Sequence, residues 1–478
     1  MKKFYITTPI YYVNDVATIG HAYTTIAADV LARWHRLKGD KVFFLTGLDE
    51  NSQKTVDAAK KIGAKDIKKY TDDMAEKWKK VWKVLNISND DFIRTTEERH
   101  KKVVNEFFSK VYKKGDIYKG NYEGLYCEGC EDFIKESELI QGKCQFHKKE
   151  PKRITEENYF FRLSKYEKLL LNYISKNPDF IGPQSRKNEV ISFIKQGLID
   201  ISISRSDKEW GIKLPIDNRH VYWTWFDALV NYISGAEKYW PADLQLMAKD
   251  IIKFHGIIWI AMLMSAGYEL PKNIFAHGFL TVNGQKMSKS LGNAINPLYL
   301  ADKYGTDSIR YFLLREIPFG QDGDFSEKAL VDRHNGELAN ELGNLVSRAL
   351  SMVEKYFQGI VPKGKNILTL NTKPVFEAVE KYELHVTLQE IWRLIGIVNK
   401  YINDSKPWES TNKEEILYSV LDSLRQITIL ISPFIPETAD KINAQLGIKL
   451  GNFKDLKNNL LKSGSKVNKS GILFAKLE

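Results

Sequence analysis

No run of this sequence stays apolar for the ~18 residues that a membrane-spanning helix needs, so a chain anchored by such a helix is not expected. Its first residues, Met1-Lys2-Lys3-Phe4-Tyr5-Ile6-Thr7-Thr8, carry two lysines but neither the apolar centre nor the cleavage site of a secretion signal. They read as a first β-strand, and a cytoplasmic protein is expected. Cysteine is scarce: three residues in 478, Cys127, Cys130 and Cys144, all within one short stretch. An odd number clustered in this way argues against a disulfide framework and fits a reducing compartment with a metal site. Internal repeats and low-complexity tracts are missing as well.

What the sequence does contain is the composition of a packed globular protein. A content of 43% hydrophobic and 12% aromatic residues excludes a disordered or fibrous chain, and 478 residues suffice for two to four packed units. The formal charge of +11 favours a polyanionic partner, because each neutralised phosphate releases counterions; it suits a soluble lysine-rich enzyme equally well.

Residues 4–8 read as a strand, followed by a turn around Asn14-Asp15. A helical pattern then runs from about Gly20 to Leu37, with Ile26, Val30, Leu31 and Trp34 at helical spacing. Gly39 is the stop, and residues 42–46 form a second strand. Strand, helix, strand in this compass is a βαβ unit, which predicts a Rossmann-like, doubly wound parallel sheet in the α/β class. Between 117 and 215 the texture turns charged and mixed, as an insertion would. Sheet character is expected to return over residues 221–226. From about Glu337 the pattern is helical, broken at Lys406-Pro407 and between Pro433 and Pro436, which predicts a helix bundle. The expected organisation is therefore 1–116 and 216–285 as two halves of the sheet domain, 117–215 as an insertion, 286–336 as a loop and linker, and 337–478 as the bundle.

Three motifs carry chemistry. The first strand leads through Thr18-Ile19-Gly20-His21 into a helix, where Gly permits close approach and the helix start offers N–H groups to a phosphate. Taken alone, this is more often an ordinary turn. Far downstream, Gly284-Gln285-Lys286-Met287-Ser288-Lys289-Ser290 places two lysines and two serines in five residues, a cationic loop suited to the charge on a pyrophosphate leaving group. Finally, Cys127-x2-Cys130 and Cys144-x2-His147, separated by 13 residues, offer four soft or borderline ligands in two tight pairs. That set suits a structural tetrahedral Zn²⁺, from which a small insertion would draw folding free energy; chance clustering of thiols is the alternative.

The Gly20-His21 turn and the Lys286–Ser290 segment together resemble the two signature sequences of class I aminoacyl-tRNA synthetases. Thr18 stands where the first signature normally has His, keeping a hydroxyl but losing the imidazole. Further stretches resemble the methionyl branch over nearly the whole chain: residues 9–14, Gly47-Leu48-Asp49-Glu50, Ser204-Arg205 with Trp210-Gly211-Ile212, 225–228, 249–255 and Lys406-Pro407-Trp408. Asn51-Ser52 departs from the His-Gly usual after the Asp-Glu pair. The cysteine array resembles that branch's zinc knuckle.

The resemblance implies activation of L-methionine with ATP to an adenylate and pyrophosphate, then transfer to the 3′ end of tRNA(Met), the initiator included. His21, Lys286 and Lys289, assisted by Thr18 and by Mg²⁺ on the phosphates, are its implied catalytic groups. Gly20, His21, Lys286, Ser288, Lys289, His277 and Gly278 are implied for ATP. For methionine the resemblance implies Ile10, Tyr12, Trp225, Ala228, Leu229, Tyr232, Ile251, Phe254, His255 and Trp259 around the side chain. Asp49 is implied for the ammonium group, with Arg205 and Asp250 as further substrate-binding residues. Asn344, Arg348 and Trp408 are implied to read the anticodon. The insertion is too short for a separate hydrolytic editing domain, and the chain ends at Glu478 without the module that dimerises some relatives, so a monomer is expected.

Competing readings are a synthetase for another amino acid, a non-catalytic tRNA-binding paralogue, and a zinc-dependent nucleic-acid binder without ATP chemistry. The anticodon reading predicts that Trp408→Ala impairs tRNA charging while sparing methionine-dependent ATP–pyrophosphate exchange. Equal loss of both activities would contradict it.

Overall fold

The computed structural model describes residues 1–478 except 129–131, 135, 137–138, 146–147, 207, 283 and 287–293; at 122–123, 132–133, 154–156 and 285–286 it describes the backbone alone. The opening βαβ unit is longer than the sequence pattern suggested at both strands: β1 is Lys3–Tyr12, helix α1 is Ile19–Lys38, and β2 is Lys41–Asp49. Gly39 ends α1 at φ 92°, a left-handed conformation that glycine adopts without Cβ strain. With β3, Asp91–Arg94, these strands join Leu244–Ala248, Asn273–His277 and Ile181–Gly182 in one six-stranded sheet. All five pairings are parallel, in the order β3, β2, β1, 244–248, 273–277, 181–182.

Neighbouring residues of these strands point to opposite faces, and both faces are covered. Ile6, Phe44, Leu246 and Phe275 pack into a core shared with α1 and the C-terminal helices. Met247, Ile274 and Ala276 enter a second core, built with Phe107, Phe108 and the insertion. A sheet buried on both faces explains why its strands read as apolar runs rather than alternations.

The insertion forms an antiparallel sheet in which Ile117–Cys127 pairs with Lys152–Phe161 from Ile117↔Phe161 to Tyr126↔Lys152. Sheet character does not persist through 221–226. Asp217–Tyr222 is a strand, antiparallel to Ser204–Ser206 in a small separate sheet, and helix Thr224–Leu229 follows at once. The aromatic and β-branched run mimics a strand, whereas its burial comes from packing against Phe107 and Phe254, as a helix permits equally. The last third is helical: Asn344–Phe357, Lys373–Glu380, Leu384–Ser405, Lys413–Ile431 and Pro436–Leu446. The breaks fall at Lys406-Pro407 and before Pro436.

One side chain ties these parts together. Arg310, on helix Thr306–Glu316, is fully buried. Its guanidinium donates to Asp29 Oδ2 on α1 (2.7 Å), to the carbonyls of Leu85 (3.0 Å) and Asn86 (3.4 Å), and to those of Pro433 (2.9 Å) and Phe434 (2.9 Å) in the bundle. Burial alone would raise the Asp29 pKa; Arg310, Arg33 and Ser88 overrule it and hold the carboxyl below its ordinary range. Arg310→Met would leave Asp29 short of a partner and several buried carbonyls unsatisfied. It is expected to cost about 3–5 kcal/mol, read from urea unfolding. A loss under about 1 kcal/mol would show that the clamp is not structural.

Candidate active site

β1 pairs with β2 on one side and with Leu244–Ala248 on the other, and the connections leaving these strands diverge. At such a switch point a crevice opens beyond the C-terminal strand ends. Here it is a cavity of about 350 Å³. Ile10 and Tyr12 from β1, Asp49 from β2, Asp250 and Ile251 after Leu244–Ala248, and His277 with Gly278 border it, together with Thr18, Gly20 and His21 at the start of α1. These residues lie between positions 10 and 278 of the sequence, and the sheet brings them to one rim.

At the helix end, the Thr18 amide donates to His21 Nδ1 (3.0 Å), with Thr18 Oγ1 at 3.1 Å from the same nitrogen. Because an amide can only donate, Nδ1 is an acceptor, and the ring proton of the neutral imidazole sits on Nε2. The Thr18 backbone amide thus fixes the tautomer of His21. A Cβ added to Gly20 would meet only Thr18 Oγ1 at 3.7 Å, so the protein interior does not require glycine there; the space it leaves faces the cavity. At Gly278 the reason is internal, since a Cβ would lie 2.2 Å from the Gln321 carbonyl.

Sequence reasoning missed the residues that hold this corner. Helix Ile67–Val84 supplies Tyr70, whose hydroxyl donates to Val13 O (2.8 Å), and Trp78, whose indole N–H donates to Asp15 O (3.0 Å). Trp78 also packs edge-on to His21, with centroids 5.1 Å apart. Their spacing marks one helical face, which by itself says only core. Thr24, one turn after Gly20, was legible as the same face of α1. Its hydroxyl donates to His277 Nε2 (2.6 Å), while His277 Nδ1–H donates to Gly278 O (2.7 Å). Both ring nitrogens of His277 are therefore used inside the protein.

The other end is apolar. Trp225 and Phe254 stack at 3.9 Å with planes 1° apart, and Ala228, Leu229, Tyr232 and His255 complete the wall. A π-helical turn over Phe254–Trp259 sets the register of this wall, a distortion common at functional sites. His255 donates from Nδ1 to Ile251 O (3.0 Å) and accepts the Tyr232 hydroxyl proton at Nε2 (2.6 Å). Burial lowers the pKa of His255 and of His277 to about 4 each, so both rings are neutral at pH 7. Phe254 and Trp259 stand behind the cavity wall rather than on it, supporting Trp225 and Tyr232. Arg205 lies beyond it too, its guanidinium 5.2 Å from the Tyr126 ring. Asn51, which departs from the family pattern, donates to Asp227 Oδ2 (3.0 Å) and so ties the end of β2 to helix Thr224–Leu229.

The remaining sequence-derived residues lie elsewhere. Lys286 is in the short strand Gln285–Lys286, paired with Leu280–Val282, of which Leu280 borders the cavity. Ser288 and Lys289 fall outside the described residues, as do Cys130 and His147. Cys127 ends the strand Ile117–Cys127 and Cys144 ends Lys143–Cys144; both are buried beside Ile134 in a small cluster apart from the main cores. Among the described residues no group of three or more metal-ligating side chains occurs. Asn344 and Arg348 sit one turn apart on Asn344–Phe357. Arg348 Nη2 donates to Asn403 Oδ1 (2.8 Å), near the end of the helix that leads to Trp408, which is 44% exposed.

Comparison with known proteins matches residues 4–147 and 127–350 to the family described as class I tRNA synthetases (M), and residues 371–468 to the anticodon-binding domain of tRNA ligases. The methionine–tRNA ligase of Caldanaerobacter subterraneus subsp. tengcongensis is 49% identical over all of this chain and 79% of its own length. That of Thermotoga maritima is 46% identical, over all of this chain and 80% of its own. Among solved structures, Mycobacterium tuberculosis methionyl-tRNA synthetase in complex with methionyl-adenylate superposes with a TM-score of 0.95 at 40% identity, covering 99% of this chain and 100% of that one. Its apo form gives 0.86 at 38% identity, covering 100% and 99%.

The buried neutral histidines set an acid limit. An unfolded His titrates near 6.5, so below that pH the unfolded chain binds protons that His255 and His277 refuse until about 4. Their contribution is complete above pH ~6.5 and is lost as pH falls towards 4. His255→Gln is expected to be less stable at pH 7 yet to lose less between pH 6.5 and 4.5, by about 2 kcal/mol in urea titration. An unchanged pH slope would refute the assignment.

Proposed function

The chain belongs to the methionyl branch of the class I aminoacyl-tRNA synthetases and joins methionine to tRNA with ATP; from that premise we propose how its side chains divide the work. Methionine lies with its thioether between Trp225, Ala228, Leu229, Tyr232, Ile251 and His255, where a poor hydrogen-bond acceptor loses little on leaving water and gains packing on aromatics. Tyr12 and Ile10 close the slot, and Phe254 and Trp259 stiffen it from behind. Asp49 and Asp250, at the strand ends, hold the ammonium side. The carboxylate then faces the start of α1, where the α-phosphate of ATP sits against Gly20, the His21 Nε2–H and Thr18.

The carboxylate is already ionised, so activation requires in-line placement and neutralisation of phosphate charge rather than a base. Lys286, Ser288 and Lys289 supply the second part, from the stretch of chain that follows Leu280–Val282, and His277 and Gly278 shape the nucleotide side. Mg²⁺ arriving with ATP would add phosphate neutralisation. In the second step a ribose hydroxyl oxygen bonds to the methionyl carbonyl carbon, the bond to the phosphate oxygen breaks, and AMP leaves with the electron pair while the hydroxyl proton passes to the phosphate.

The division into a catalytic domain over 1–116 and 216–285, a connective insertion over 117–215, a linker over 286–336 and an anticodon-binding bundle over 337–478 belongs to the same reading. Asn344, Arg348 and Trp408 meet the anticodon of tRNA(Met), initiator or elongator, by stacking and cation–π contact. Cys127, Cys130, Cys144 and His147 hold one structural Zn²⁺, making the insertion a zinc knuckle. The two described thiols are buried where two strands end, in a cluster of three buried residues that has little core of its own. A cytoplasmic monomer completes the proposal.

The observation that carries it is the convergence of Asp49, His21 and Trp225, the last backed by Phe254, on one cavity. ATP–pyrophosphate exchange tested with all twenty amino acids is expected with methionine alone; exchange with another would overturn the specificity. Elemental analysis of the purified protein is expected to return about one zinc per chain, lowered by Cys127→Ser. Zinc-free protein with an intact far-ultraviolet spectrum would remove the knuckle.

A further inference from the structure

The cavity holds its amino acid at two places that come from distant parts of the chain. Asp49, the last residue of β2, faces the ammonium group, whereas Trp225, Ala228 and Leu229 of helix Thr224–Leu229 face the thioether. A helix adds no rung to a parallel ladder, so its distance from a strand end is set by side chains. The backbone just before this helix is tied to the insertion instead, through the Trp223 amide, which donates to Ile203 O (2.8 Å). Asn51 spans the gap. Its Nδ2 donates to Asp227 Oδ2 (3.0 Å) on the helix and lies 3.4 Å from Thr95 O, while its backbone amide donates to Asp49 Oδ1 (3.2 Å). Both carboxylates are buried.

The platform under Asn51 is fixed on both sides. Glu50 places its amide on Thr95 Oγ1 (2.9 Å), receives the Trp210 indole N–H on its carbonyl (2.7 Å), and accepts from Arg94 Nε (2.7 Å) and the Thr96 hydroxyl on its carboxylate. Ser52 caps helix Gln53–Lys61, its Oγ accepting from the Thr55 amide (3.1 Å). A primary amide suits the position chemically. It donates to Asp227 yet stays neutral, so it sets no cation beside Asp49 to compete with an incoming ammonium group. We propose that Asn51 is a positioning residue that sets the span between the ammonium site and the thioether slot, and with it the side-chain length that fits. The inference rests on the methionine reading of the cavity. Helix Thr224–Leu229 is also packed through Phe226 against Phe107 and Phe108, so losing the Asn51 bond loosens the span without unfolding the helix.

Amino-acid-dependent ATP–pyrophosphate exchange is measured on the full chain for three variants: Asn51→Ala, Asn51→Asp, and Asn51→Asp combined with Asp227→Asn. The last returns the same hydrogen bond with donor and acceptor exchanged. Asn51→Ala is expected to raise KM for methionine about tenfold, as loss of one hydrogen bond to a charge does, with kcat within about threefold and KM for ATP within about twofold of the parent. Its preference for methionine over ethionine, which is longer by a methylene, is expected to fall about fivefold. Asn51→Asp sets like charges together and should be worse, and the double variant should recover most of that loss. Should Asn51→Asp not fold, Asn51→Ala decides alone. A parental KM for methionine, an equal rise in KM for ATP, an unchanged preference over ethionine, or a double variant no better than a folded Asn51→Asp would each overturn the positioning role. Absence of methionine exchange in the unaltered protein would instead strike the reading of the cavity.

Discussion

Ile6 of β1 has Phe44 beside it on one side and Leu244 on the other, both in parallel register. Everything chemical in the molecule depends on that sandwiching. The chain turns away from β1 and from Leu244–Ala248 in different directions, so the gap above them cannot be filled by either connection. Backbone amides at the start of α1 and carboxylates at the strand ends are left facing a common space. A parallel sheet also buries both faces, which keeps the rim rigid while loops carry the reactive groups.

The rim is polar at one end and apolar at the other, and neutral histidines make the transition possible. His255 and His277 border the cavity, yet each uses one nitrogen on a carbonyl and the other on a hydroxyl. Their hydrogen-bonding capacity is satisfied internally, so they act as flat walls with fixed tautomers. His21 is held at Nδ1 by the Thr18 amide. Arg310 transmits the geometry further: it joins α1, the turn at Leu85 and Asn86, and the bundle at Pro433 and Phe434 in one buried node.

Much of this was legible in the residues. The βαβ opening, Gly39 as the stop of α1, the helical last third and its breaks follow from periodicity and from proline and glycine chemistry, which act locally. The strand limits were too short because β1 and β2 continue into residues such as Tyr11, Tyr12 and Asp49, whose extended conformation is imposed by pairing, not by propensity. Residues 221–226 misled for the matching reason: an apolar aromatic run satisfies either a strand or a buried helix, and only its neighbours choose. Of the residues expected around methionine, Phe254 and Trp259 proved to lie one layer back, since composition records that a side chain is apolar and not which layer it occupies.

The sequence by itself determined the local elements, the signature segments and the paired cysteine spacing, because each depends on residues near one another along the chain. Only the tertiary structure decided that Trp78 and Tyr70 hold the loop before His21, that Asn51 ties β2 to the helix of Trp225, and that Arg205 lies against the rings of Tyr126 and Trp223. Those outcomes depend on contacts between segments tens to hundreds of residues apart, for which one sequence carries no period and no spacing.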